Sequence, residues 1–130
     1  MDKTVEKVLR DGLERLALPL PDGAASALLA YVELLARWNR TYNLTAVRNP
    51  VEMVTRHVLD SLAVMPWMQA GRLMDAGAGA GLPGIPLAIA NPSLEVTPVD
   101  SAGKKIRFMN HVKRQLELAN VHPLHARVEQ

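Results

Sequence analysis

The residue pattern predicts an α/β protein in which a helical region, residues 1–70, precedes a parallel sheet that begins in residues 71–130. Three observations predict it. Apolar residues recur at three-four spacing through the first half. The second half alternates short apolar runs with amphipathic stretches in the order strand, helix, strand, helix, strand. A glycine-rich turn joins the first strand to its helix. That order calls for right-handed parallel crossovers.

Each element has its own signal. Val5, Val8, Leu9, Leu13 and Leu16 line one face of a first helix, which Pro19 and Pro21 end. Asp22 is a candidate N-cap for the second helix. There Leu28, Val32, Leu35 and Asn39 form one stripe, with Tyr31, Trp38 and Tyr42 beside it. A third helix opens on Asn49, with Pro50 in its first turn and Glu52 at the capping-box position. It buries Val51, Val54, Val58, Leu62 and Met65 and stops at Pro66. Beyond it, strands are predicted over 72–76, 94–99 and 124–128, with helices over 83–90 and 104–119. The longer of these helices turns Phe108, Met109, Val112 and Leu116 inward. Pro98 lacks a ladder donor, which argues against a central second strand unless the ladder is interrupted there.

Composition narrows the functional classes. Hydrophobic residues at 48% and charged residues at 22% exclude a disordered or collagen-like chain. Aromatic residues are only 4%, so Leu, Val, Ala and Met must build the core. The absence of cysteine excludes a disulfide scaffold, a thiolate metal site and a cysteine nucleophile. No apolar run approaches the roughly 18 residues of a membrane span, and Met1-Asp2-Lys3 opens no signal peptide, so a cytoplasmic location is expected. Lys104, Lys105, Arg107, Lys113 and Arg114 occur with no acid between them. A solvated helix face accounts for such a run, and attraction for phosphates is the functional alternative.

The most informative stretch runs from Asp75 through Gly77, Gly79, Gly81 and Leu82 to Pro86. Closely spaced glycines let a backbone approach a ligand. The dinucleotide fingerprint G-x-G-x-x-G would need glycine where Leu82 stands. Here the pattern is D-x-G-x-G-x-G. A pyrophosphate gains nothing from the carboxylate of Asp75, whereas a cationic sulfonium does. Asp100 ends the next strand, where a carboxylate can accept hydrogen bonds from ribose hydroxyls. Asp75, Gly77, Gly79, Gly81, Leu82 and Asp100 are therefore candidates for a nucleoside cofactor site. A plain structural turn is the alternative, and Leu82 and Asp75 oppose a nicotinamide-dependent oxidoreductase.

At these residues the chain resembles the ribosomal small-subunit methyltransferase G family, also called glucose-inhibited division protein B. The matching stretches are Arg37-Trp38-Asn39, Tyr42 to Thr45, Arg56-His57 with Asp60-Ser61, and Asp75 to Pro86. They continue with Asp100-Ser101, Gly103-Lys104-Lys105 and Arg127-Val128-Glu129. The resemblance implies a Rossmann-like methyltransferase that uses S-adenosylmethionine to methylate N7 of a guanine in 16S ribosomal RNA, free or in a small-subunit assembly particle. By the same resemblance Gly77 and Leu82 contact the cofactor, and Val128 and Glu129 hold its adenine end. The family continues past the third strand to a Ser-Arg-Ala-Phe stretch without counterpart here, so this chain resembles its N-terminal part. A truncated sheet of this kind leaves the first strand bare along one edge, which invites association. The alternative to an enzyme is a truncated, non-catalytic cofactor- or RNA-binding module.

Guanine N7 offers a free lone pair and loses no proton on methylation, so no catalytic base is expected and no metal is called for. His57 is expected to pair with Asp60 or Asp75 in a structural role, with a base as the functional alternative. Arg56 is expected to bridge to Asp60 at i,i+4 spacing. The alternative is that Arg56, His57, Asp60 and Ser61 line the cleft near the loop. Candidates for RNA contact are Arg37, Asn39, Arg48, Arg56, Lys104 and Lys105, with Arg40 beside them. Trp38 and Tyr42 pack one helix on its neighbour, with base stacking as the functional alternative.

Overall fold

The structure is a computed structural model, and it describes residues 2–68 and 71–127. Helix α1 (Lys3–Leu16) starts where the Thr4 amide donates to the Asp2 carboxylate at 2.7 Å, and it buries Val5, Leu9 and Leu13. Helix α2 (Ala24–Tyr42) is capped by Gly23, not by Asp22. After Pro21 the chain turns through a left-handed conformation (φ 82°) that glycine adopts without strain, which moves the helix start one residue on. Leu28, Tyr31, Val32, Leu35 and Asn39 of α2 are all buried.

The third helix departs from the single α-helix that the sequence predicts. Asn49 caps it as expected, accepting the Val51 amide at 2.9 Å. An α-turn (α3, Pro50–Met53) passes into a π-helical segment (Val54–Leu59) and returns to α geometry (α4, Asp60–Leu62). Met53, Val54, Val58 and Leu62 are buried, and Val51 and Met65 are half-buried. The wider π turn takes Arg56 and Asp60 out of the i,i+4 alignment an α-helix would give them, and they form no ion pair among those of the described residues.

Strands β1 (Gly71–Ala76), β2 (Leu94–Asp100) and β3 (Leu124–His125) form a parallel sheet in the order β1-β2-β3. Helices α5 (Gly84–Ala90) and α6 (Gly103–Leu116) make the two crossovers. One hydrophobic cluster joins α1, α2 and the third helix to α5, α6 and β2, with every residue of α5 buried. No helix among the described residues is long and apolar enough to cross a membrane.

β2 is central despite Pro98, and the reason lies in strand parity. Val96 donates to Asn120 O, and Asp100 O accepts from Ala126, so the even-numbered residues of β2 address β3. Pro98 therefore puts its missing donor on that side. On that side the ladder is an isolated bridge at Val96–Val121, before β3, and then the pairs Val99–Leu124 and Asp100–His125 with β3. The β1 side is continuous from Gly71–Leu94 to Ala76–Val99. β1 itself pairs with β2 alone among the described residues, and its Met74 is 67% exposed.

The basic run on α6 also divides. Lys113 turns back and donates to the carbonyls of Leu118 and Val121, satisfying backbone groups beyond the helix.

Candidate functional site

The end of β1 turns through Gly77, Gly79 and Gly81, all at positive φ (67°, 58° and 93°). Backbone and side chains fix the turn from three sides. The Ala78 amide donates to Val99 O of β2 at 3.0 Å. The buried Tyr31 hydroxyl of α2 donates to Ala80 O at 2.8 Å, and burial followed by the nearby Asp75 charge raises its pKa, keeping it protonated. The Ile85 amide donates to Gly81 O at 2.7 Å and starts α5.

The two strand-end acids occupy different places. Asp100 is buried, with Oδ2 accepting the Gly79 amide at 2.9 Å and Oδ1 the Ala102 amide at 2.8 Å. Burial opposes its charge, but the Ala102 and Gly79 amides and the Lys105 ammonium hold it below the usual carboxylate range. Asp75 instead accepts the Gly84 amide at 3.1 Å, at the start of α5. Burial pushes its carboxyl up, and the single amide offsets this only in part.

A cleft of about 310 Å³ opens over the ends of the strands, lined by Ala76, Gly77, Val99, Asp100, Ser101, Ala126 and Arg127. It brings together Gly77 and Asp100 of the sequence-predicted cofactor residues. Asp75, Gly79, Gly81 and Leu82 lie outside its lining. Gly81 is buried against Ile85, and Leu82 packs on the core. Val128 and Glu129 fall outside the described residues. Ser101 carried only the resemblance in the sequence, and Ala126 and Arg127 fell within the predicted third strand with no site role of their own. Their common signal is position, since the residues just past each strand's carboxyl end line the crevice of an open parallel sheet.

The RNA candidates are scattered. Arg37 and Arg40 share a groove with Glu33, Ala36 and Pro50. Arg48 is exposed and donates to Asn43 Oδ1 at 2.7 Å, and Arg56 is exposed on the π segment. Asn39 is only 2% exposed. Its Oδ1 accepts the Thr45 amide at 2.9 Å and its Nδ2 reaches Val47 O at 3.4 Å, so it brackets the loop after α2. Lys104 and Lys105 are half-buried at the start of α6. His57 meets neither Asp60 nor Asp75 in a hydrogen bond. Its Nε2 lies 2.8 Å from Thr45 Oγ1, because the loop that Asn39 holds passes over the π segment. Burial, and then the Arg56 charge, lower its pKa against opposing contributions from the Arg56 backbone and Asp60. Trp38 packs against Tyr42 and against Phe108 and His111 of α6, at ring-centroid distances of 5.3, 5.6 and 5.0 Å. No group of three or more metal-ligating side chains is found among the described residues.

Comparison with known proteins gives the family. A family model described as rRNA small subunit methyltransferase G matches residues 24–130. The chain is 54% identical over 120 residues to the ribosomal RNA small subunit methyltransferase G of Alkalilimnicola ehrlichii, covering 92% of this chain and 54% of that one. The protein of the same name from Xanthomonas euvesicatoria is 55% identical over 125 residues, 96% of this chain and 58% of its own length. That from Legionella pneumophila is 49% identical over 125 residues, 96% of this chain and 59% of its own. The chain thus spans a little over half the length of the curated relatives it matches. With the family model covering most of its residues, the chain belongs to the rRNA small subunit methyltransferase G family.

Proposed function

We propose that the cleft over Asp100 binds S-adenosylmethionine and that the chain forms the cofactor part of an enzyme that methylates N7 of a guanine in 16S ribosomal RNA, in the cytoplasm. The observation that carries this reading is where the loop amides go. The Gly79 and Gly84 amides each donate to a carboxylate of the protein, Asp100 and Asp75. A pyrophosphate site needs such amides for the ligand. Amides already engaged by two carboxylates suit a ligand without phosphate.

The residues present fit that cofactor. The Asp100 oxygens accept the Gly79 and Ala102 amides, and a carboxylate's four lone pairs leave capacity for a ribose hydroxyl. Gly77 is exposed, and nothing stands within 4 Å of the position a Cβ would take, so the ligand can approach its backbone. When bound, S-adenosylmethionine supplies an electrophilic methyl group. N7 of guanine needs no base, so the chain's contribution is to bind, orient and exclude water. Val128 and Glu129, just past β3, belong to the adenine end in this reading. The exposed Arg37, Arg40, Arg48 and Arg56, with Lys104, are the RNA-facing cations. Asn39 is left out, because its amide is engaged inside the fold.

Transfer of labelled methyl from S-adenosylmethionine to 16S ribosomal RNA, naked or in small-subunit particles, tests the reading. Label that maps to 7-methylguanosine by strand cleavage at that base is the expected result. Cofactor binding without transfer identifies a non-catalytic binding module, and label on any other atom refutes the N7 assignment.

A further inference from the structure

The cleft has two ends, set by the strand order. β2 presents Asp100 in the middle, the glycine turn follows β1 on one side, and Ala126 and Arg127 follow β3 on the other. Lys105, from the first turn of α6, reaches toward the glycine turn. A methyl group placed on Gly79 would lie 4.0 Å from Lys105 Nζ. Lys105 makes no hydrogen bond or ion pair among those of the described residues, and Asp100 is the carboxylate whose charge it influences. The half-buried ammonium is therefore available to a ligand.

The Lys105 ammonium feels the Asp100 charge but has no hydrogen-bonded partner among the described residues, so an anion carried by the ligand would satisfy it beside a cationic sulfonium. If the ribose rests on Asp100 and the adenine lies toward β3, the remaining part of the cofactor, its amino-acid tail, lies toward the glycine turn. That tail ends in a carboxylate. On the reading of the cleft given above, we propose that Lys105 recognises the α-carboxylate of the cofactor's methionyl tail and thereby selects nucleosides with an amino-acid tail over those without. Lys105 then belongs to the cofactor site rather than to the RNA face, where the sequence put it with Lys104.

Two adenine nucleosides separate the possibilities by calorimetric titration of the chain. S-adenosylhomocysteine has the tail, whereas 5′-methylthioadenosine lacks both its carboxylate and its ammonium. The expected result is that Lys105→Met weakens S-adenosylhomocysteine about tenfold, the scale of one charge-assisted hydrogen bond. Binding of 5′-methylthioadenosine stays unchanged, which also shows the variant to be folded, and Lys105→Arg restores most of the loss. Equal weakening of both ligands, or of neither, while the unsubstituted chain binds both, overturns the role of Lys105 alone. Failure of the unsubstituted chain to bind either ligand overturns the cofactor reading and this inference with it.

Discussion

Gly77 and Gly81 stand in the same turn, yet alanine should fail at each for a different reason. At Gly81 the positive φ of 93° combines with a Cβ that would lie 2.3 Å from Ile85 Cδ1. Strain and overpacking together should cost roughly 2–4 kcal/mol, read from urea denaturation. At Gly77 the φ of 67° carries the strain alone, about 1–2 kcal/mol, because the surrounding space is open. That space is the cleft, so Gly77→Ala should weaken cofactor binding more than its stability loss explains. Asn39 shows what a sequence can and cannot tell at this scale. Its place on the stripe of Leu28, Val32 and Leu35 already marked it as inward, while its amide suited either a ligand contact or the loop after the second helix. The stripe was the better guide. Asn39→Ala leaves the Thr45 amide without its acceptor and should destabilise by about 1–3 kcal/mol in the same denaturation experiment.

At the scale of elements, the third helix was legible in its start and its buried face but not in its π segment. Asn49 and Pro50 are local signals. The π register serves contacts with α1 and with the loop held by Asn39, and those are tertiary. His57 sits in that segment, and its pKa lies below the ordinary 6.5 because burial disfavours the charged ring. The unfolded chain therefore binds a proton at His57 more readily than the folded one. The stability it contributes is present above about pH 6.5 and is lost as pH falls through the lower folded value. Thermal unfolding midpoints should drop between neutral pH and pH 5.5 in the unsubstituted chain and drop less in His57→Gln. Equal drops would show that other groups set the acid response. Pro98 gives the complementary lesson for strands. Its missing donor correctly signalled a broken ladder, but the break spares one side, and only the β1–β2–β3 order shows which.

For the whole molecule, the sequence announced helices followed by a parallel sheet, because the change of hydrophobic period near residue 70 and the glycine turn are both local. It assigned both strand-end acids to the cofactor, Asp75 to the sulfonium and Asp100 to the ribose, and could not show that only Asp100 reaches the cleft. Folding separates them: Asp100 lies in the cleft with two amides and stays ionised, while Asp75 caps α5 with its carboxyl pushed up by burial. That separation is the central claim, and titration of the chain with S-adenosylmethionine tests it most directly, with NADH as the comparison ligand. Saturable binding of S-adenosylmethionine but not of NADH is predicted, at least about tenfold weaker in Asp100→Asn, since each hydrogen bond to a charged group is worth about 1.5–3 kcal/mol. Asp75→Asn, which keeps an acceptor for the Gly84 amide, should bind nearly as well as the unsubstituted chain. Unchanged affinity in a folded Asp100→Asn variant, loss only in a folded Asp75→Asn, or saturable binding of NADH would contradict it.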